Sequence, residues 1–272
     1  MDESKDILAF AFSSDEFRHA RVDAAFDDQA EALKHAGFSI WTTRPEENKL
    51  VTKGENASGR VVVYRGWMLS EADYNRFVEA VERAGARPFH TLAEYLQCHH
   101  LPRWYPQIAD LTPETVFLPV DADLETELRR LGWEGFVIKD FVKSLKTSIG
   151  SVIVDPAQAP IVAAEMMKFR GTVEGGFSIR RLEPLDGESE QRFFVLDGQV
   201  CRSGDAEVPE IVEEVARRVT GSRFFSVDVA RRADGQLRVV ELGDGQVSDI
   251  VGWTPARFAE MWRVATRSSS GS

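Results

Sequence analysis

Cysteine is nearly missing from this chain: Cys98 and Cys201 are the only two in 272 residues. Separated by about a hundred positions, they build neither a disulfide framework nor a cysteine zinc cluster, and both read as structural thiols. Long apolar runs are missing too. Nothing approaches the roughly 18 residues that cross a bilayer, and the stretch Ile7 to Phe12, behind the polar start Met1 to Lys5, has neither the length nor the flanks of a secretory signal. The expectation is a cytoplasmic protein with no membrane partner. A basic excess is lacking as well. The formal net charge of -11 argues against general nucleic-acid binding, which relies on lysine and arginine spread over a broad patch. What positive charge there is clusters at Arg180-Arg181, Arg217-Arg218 and Arg231-Arg232, the last two pairs reading as solvated faces or turn flanks. No serine, histidine and aspartate arrangement, Walker loop or internal repeat is present, and His99-His100 reads as connector surface rather than a catalytic dyad.

What is present is a globular composition, 43% hydrophobic and 28% charged, long enough for two lobes. Strand signals at Ile7 to Phe12, Phe38 to Trp41 and Arg60 to Tyr64 alternate with helical patterns from Asp27 to Ala36 and from Ser70 to about Ala84. This predicts a small parallel α/β lobe over residues 1–95. Such lobes bind ligands beyond the carboxyl ends of their strands, where Arg65 stands. Leu92 to Asp110, interrupted by Pro102 and Pro106, reads as a connector. A strand at Thr112 to Phe117, a helix from Leu124 to Leu131, a strand from Gly135 to Lys139 and a helix near Pro156 to Arg170 follow. From Gly176 the pattern becomes strands joined by tight turns, with Asp197-Gly198 and Asp234-Gly235 as hairpin signals. The expected class is therefore α/β plus α+β, with residues 96–266 forming the second unit and 267–272 a disordered tail.

The most informative stretch runs from Phe224 to Leu242. If Asp234-Gly235 is a two-residue turn, counting back along both strands sets Asp228 opposite Glu241. Ser226, Ala230 and Val239 then share their face, while Phe225, Val227, Val229, Arg238, Val240 and Leu242 take the other. Opposed carboxylates about 4.5–5.5 Å apart at Cβ repel, and among apolar neighbours they need a cation or a shared proton. A divalent ion shared with substrate phosphates is one solution. Pairing of one carboxylate with Arg192 or Arg238 is the other, although Arg238 falls on the wrong face in this register.

Lys139 ends an apolar strand just before Lys143-Ser-Leu-Lys146-Thr-Ser-Ile-Gly150-Ser151. Ammonium groups, hydroxyls and backbone amides together suit a polyphosphate. Farther on, the segment containing Glu183 and Leu185 can serve as a hinge whose backbone recognises a base, and Glu190 and Arg192 share a face of the strand that follows. Taken singly, each of these is also compatible with ordinary surface charge.

In this order the pieces resemble the ATP-grasp superfamily, in particular its small bacterial and phage members with a short pre-ATP-grasp lobe, over nearly the whole chain. The resemblance implies antiparallel lobes enclosing ATP, with Lys139 and Lys143 at the phosphates and Glu183 to Leu185 at adenine. It places Glu190 at ribose, Arg192 at phosphate or substrate, Arg65 at substrate, and Asp228 and Glu241 on Mg2+. One departure stands out: the family pattern of glutamate, any residue, asparagine here ends in Gly243, which has no side-chain oxygen. Asp244 can substitute as a metal ligand only if the chain bends.

The implied activity is ligation. Lys139 and Arg192 would assist phosphoryl transfer from ATP to a carboxylate, and an amine of an amino-acid or peptide-like substrate would then displace phosphate. An ATP-dependent kinase on the same fold is one rival reading, and a nucleotide-binding regulatory protein without turnover is another. The oligomeric state is left open.

Overall fold

Burial along both faces is what a central parallel strand requires, and β1 (Leu8–Ser13) is buried at all six positions. In the computed structural model, which describes residues 8–142, 151–170, 173–204 and 207–268, it stands at the centre of a five-stranded sheet. Parallel partners β2 (Ser39–Arg44) and β4 (Val61–Arg65) flank it, with β3 (Lys49–Val51) antiparallel at one edge and β5 (Arg87–Pro88) parallel at the other. Helices α1 (Asp27–His35) and α2 (Glu71–Arg83) make the crossovers. Ser70 caps α2 by accepting the Asp73 amide at 3.1 Å, and Gly85 leaves it at φ +81°, a conformation natural to glycine after a helix.

The connector is two helices. α3 (Leu92–His99) begins in a capping box between Thr91 and Glu94, and α4 (Leu101–Ile108) carries Pro102 in its first turn and Pro106 in its interior. The break falls at His100, whose backbone is extended (φ -101°, ψ 118°); Pro102 then stands in the first turn of α4, where its missing N–H leaves no helical hydrogen bond unmade.

The second sheet contains β6 (Thr115–Leu118), β7 (Phe136–Asp140), β8 (Val152–Ile153) and β9 (Phe177–Arg181), ordered β6-β9-β7-β8 and antiparallel throughout. Its core joins Phe136, Ile138 and Ile179 to Leu124 and Leu128 of α5 (Leu124–Leu131) and to Val162 and Met166 of α6 (Ala159–Arg170). The third sheet is antiparallel, ordered β11-β10-β12-β13. It comprises β10 (Leu185–Leu196), β11 (Gln199–Cys201), β12 (Phe224–Arg232) and β13 (Leu237–Asp244). Val195, Val227, Val229 and Val239 pack on α4 and on α7 (Glu210–Arg218) through Trp104, Ile108, Val212 and Val215. Phe194 and Phe224 instead meet Phe258 and Trp262 of α8 (Pro255–Ser268), which also closes over Phe10 and Phe38 of the first sheet. The C-terminal helix thereby stitches first and third sheets together. It runs through Ser268, past the start of the expected tail at Arg267, and residues 269–272 lie outside the described residues. No described helix is long and apolar enough to cross a membrane.

Candidate nucleotide and metal site

The acidic hairpin pairs Asp228 with Glu241 as expected, but by a different route. Its turn is one residue longer: Arg232 donates to the Gln236 carbonyl at 2.8 Å, enclosing Ala233 to Gly235, with Gly235 at φ +86°. That sets Val229 opposite Val239 and Ala230 opposite Arg238, and a bulge at Val240 then restores the register at Asp228 and Glu241. Between turn and bulge the faces are exchanged. Val239 is buried in the apolar core, and Arg238 comes to the Asp228 side of the ribbon, opposite to its expected placement. There it holds the segment between β9 and β10 instead, forking onto both Glu183 carboxylate oxygens at 3.0 and 3.1 Å and onto the carbonyls of Asp110 and Thr112.

The two carboxylates are reconciled by cations of the protein itself. Arg192, directly opposite Asp228 on the neighbouring strand, donates Nε and Nη2 to the two Asp228 oxygens at 2.6 and 2.5 Å, and Nη1 to the Asp249 carbonyl. Burial opposes the charge on Arg192. The Asp228 hydrogen bonds and the charges of Asp228, Glu241 and Asp249 outweigh it, holding the guanidinium above its ordinary pKa. On β7, Lys139 places Nζ 3.7 Å from Glu241 Oε1, with both side chains mostly buried. Second and third sheets thus face each other across this ion pair.

A third cation carried no assigned role in the sequence. Arg180 of β9 is 5% exposed, donates Nη2 to Thr112 Oγ1 at 3.0 Å and Nη1 to the Val240 carbonyl. Desolvation, only partly offset by Glu241, lowers its pKa to about 10. Its Nε and the Oγ of Ser178, which stands opposite Lys139, have no hydrogen-bond partner among the described residues. Buried donors left unsatisfied are costly. Here they sit on one face of β9 beside the Lys139–Glu241 pair, where oxygen atoms of a bound polyanion would satisfy them. Alternation along β9 from Ser178 to Arg180 was the available signal.

Other expected site residues are distributed around this centre. Glu183 lies in the link between β9 and β10 and Leu185 opens β10, its amide donating to the Glu183 carbonyl at 2.9 Å. Glu190 is exposed and lies in an irregular stretch where β10 advances from Asp186 to Gln191 while β12 retreats only from Arg231 to Val229. Regular alternation from Glu190 to Arg192 therefore begins only at the end of that stretch. Lys143 lies outside the described residues, as does the loop from there to Gly150.

Two expected residues do not join the cluster. Asp244 points away from Glu241 into a fully buried network, because β13 continues regularly through Gly243 opposite Ser226. Its Oδ2 is 2.7 Å from His90 Nδ1, and its Oδ1 accepts the Gln246 amide at 2.9 Å. His90 Nε2 accepts the Phe224 amide at 3.1 Å, so the ring proton lies on Nδ1 and is donated to Asp244. Gln246 completes the junction, donating to Tyr74 Oη and accepting the Tyr64 amide. Arg65, expected at substrate, is 1% exposed. It donates Nη1 to the carbonyls of Gly245, Gln246 and Ser248 and Nη2 to Gln29 Oε1 at 2.6 Å, and lies 4.8 Å over the Phe258 ring. Burial lowers its pKa to about 10. In this arrangement Arg65 holds the turn after β13 against the first sheet.

The comparisons with known proteins agree with this architecture. Residues 130–263 match the model of an ATP-grasp domain, family 3 of its clade. Among solved structures, the D-cycloserine synthetase DcsG aligns with a TM-score of 0.64 at 17% identity, over 95% of this chain and 99% of that one. The ATP-grasp ligase PsnB, complexed with precursor peptide PsnA2 and AMPPNP, gives 0.60 at 14%, over 96% and 97%. D-alanyl-alanine synthetase A from Vibrio cholerae O1 biovar eltor str. N16961 gives 0.61 at 10%, over 97% and 98%. At such identities the likeness concerns the fold. No curated protein matches by sequence.

Proposed function

The chain belongs to the ATP-grasp superfamily, and we propose that it couples ATP, with Mg2+, to ligation of a carboxylate to an amine of an amino-acid or peptide-like substrate. The observation that carries this reading is the cluster across the cleft: Asp228 and Glu241 opposed on one ribbon, with Lys139 3.7 Å from Glu241 on the facing sheet. Orphaned donors on Ser178 and Arg180 beside it fit a polyphosphate. The donor set also fits magnesium, which is held by one or two carboxylates while phosphate oxygens and water complete its shell. Bound there, the ion would neutralise and orient the phosphates.

In this reading Lys139 and Arg180 bind phosphate oxygens, and Lys139 stabilises the charge that builds as the γ-phosphoryl group passes to the substrate carboxylate. Arg192 holds Asp228 in place through its fork and supplies positive charge beside the transferring group. Glu183 to Leu185, between the second and third sheets, receives the base, and Glu190 the ribose. Attack of the amine on the acylphosphate then expels inorganic phosphate, so no side-chain nucleophile is needed.

The test follows oxygen. With an 18O-labelled carboxylate substrate, found by screening amino acids and peptides for ADP release, one label must appear in inorganic phosphate. Unlabelled phosphate, or AMP with pyrophosphate, would sink the proposal. One observation favours a second reading, a nucleotide-binding regulator without turnover: Gly243 offers no side-chain oxygen to the metal. ATP binding by calorimetry without ADP formation across a broad acid and amine panel would select it.

A further inference from the structure

Where α3 ends and α4 begins, two imidazoles and a carboxylate converge. His99 is 4% exposed and stacks on Tyr95 at 4.7 Å and 25°. It is therefore a packed side chain, not the connector surface its sequence suggests. The Tyr95 hydroxyl is itself fixed on the Leu69 backbone. His100 is presented by the extended backbone between the helices and brings Nε2 to 3.0 Å from Glu174 Oε1. Glu174 is held there by the chain: Phe141 donates its amide to the Glu174 carbonyl and accepts the Leu101 amide. One potential ligand atom from each of His99, His100 and Glu174 lies within 4.8 Å of the others.

We propose that His99, His100 and Glu174 form a zinc site. Two histidine nitrogens and a glutamate oxygen are a donor set that zinc favours, with a fourth position for water. Bonds of about 2.0–2.2 Å in a tetrahedral shell space ligand atoms by roughly 3.3 Å, so closure asks for side-chain shifts on the order of 1.5 Å. His100 and Glu174 are half-buried and one of their atom pairs is already in contact. The site differs in chemistry from the paired carboxylates of the cleft, which suit a hard oxygen-seeking ion. Its consequence is mechanical. Phe141 follows β7 and Glu174 precedes β9, so zinc would tie the strands carrying Lys139, Ser178 and Arg180 to the connector helices.

The experiment is zinc titration of chelator-stripped full-length protein by calorimetry, with magnesium saturating, together with cobalt substitution. The expected result is one zinc equivalent with a dissociation constant at or below about 1 μM, and a Tm rise of about 5 °C or more near hundredfold saturation. Cobalt should give the visible bands of a four- or five-coordinate nitrogen and oxygen site. His100→Ala and Glu174→Gln should each weaken zinc binding at least about tenfold and remove the zinc-dependent rise, whatever their own Tm. Glu241→Gln should keep zinc binding. Absence of zinc uptake, uptake unchanged in both His100→Ala and Glu174→Gln, or a purely octahedral cobalt spectrum overturns the proposal.

Discussion

Replacing Arg65 with methionine separates a structural tie from a ligand-binding group. Methionine preserves much of the stem and removes every donor, leaving the carbonyls of Gly245, Gln246 and Ser248 and the Gln29 amide oxygen without the guanidinium they share at 2.7, 3.3, 2.9 and 2.6 Å. Hydrogen bonds from a charged donor contribute about 1.5–3 kcal/mol each, so the three short ones amount to on the order of 6 kcal/mol. Against this stands the cost of burying the charge. The fall of its pKa from the ordinary guanidinium range to about 10 corresponds to roughly 3 kcal/mol at about 1.4 kcal/mol per pKa unit, and that cost disappears with the charge. The expected net loss is about 3 kcal/mol. At roughly 2–4 °C per kcal/mol for a chain of this size, Tm should drop by about 6–12 °C. Scanning calorimetry of wild type and Arg65→Met without nucleotide measures it. A Tm within about 2 °C of wild type, joined to a raised KM for the acid substrate, would refute the structural reasoning and return Arg65 to the substrate site.

Glu241→Gln should leave the fold intact and weaken magnesium-dependent nucleotide binding at least about tenfold, a loss of about 1.4 kcal/mol; unchanged calorimetric affinity would remove Glu241 from the metal site. Lys139→Ala deletes a charge-assisted phosphate contact of about 1.5–3 kcal/mol, so kcat/KM for ATP should fall roughly 10- to 100-fold, and wild-type kinetics would exclude Lys139 from the phosphates. His90→Phe keeps a buried ring but strands the Asp244 carboxylate and the Phe224 amide, and about 3 kcal/mol of unfolding free energy should be lost. A denaturation midpoint equal to wild type would show that this junction contributes nothing.

The legible parts of the fold were those in which one strong local signal decides. Ser70 and Gly85 bracket α2, and the apolar period of Leu124 to Leu131 matches α5 residue for residue. Helix α7 lacks a polar N-cap because Pro209 occupies that position, whereas α8 carries one: Thr254, just before Pro255, accepts the Arg257 amide at 3.1 Å; proline at a helix start followed by apolar positions three and four apart was the cue available for both. The opposition of Asp228 and Glu241 was legible only because two departures from a simple hairpin cancel. A turn longer by one residue and a bulge at Val240 shift the register in opposite senses. Residues between them, Arg238 and Val239, changed faces, since one residue of slip inverts every side chain. Buried polar groups were the least legible. Tyr74, His90 and the pair Asp244 and Gln246 come from separate segments, and only the tertiary fold shows that they satisfy one another.

Charge balance connects the remaining pieces of the cleft. Lys139, Arg180 and Arg192 stand against Asp228 and Glu241, leaving a surplus of one positive charge where we propose that the phosphates bind. A nucleoside triphosphate brings about four negative charges, which in a partly desolvated cleft would leave about three uncompensated; with magnesium the remainder is about one. Nucleotide and cation should therefore bind with strong positive linkage, each raising the affinity of the other by the same factor. Gly243 sharpens this dependence. With two carboxylates, no side-chain oxygen at Gly243 and Asp244 turned toward His90, the protein alone would offer the ion a sparse shell, and phosphate oxygens would supply the difference. Magnesium binding without nucleotide should accordingly be weak, and nucleotide binding without magnesium should be weaker than the number of cations in the cleft suggests.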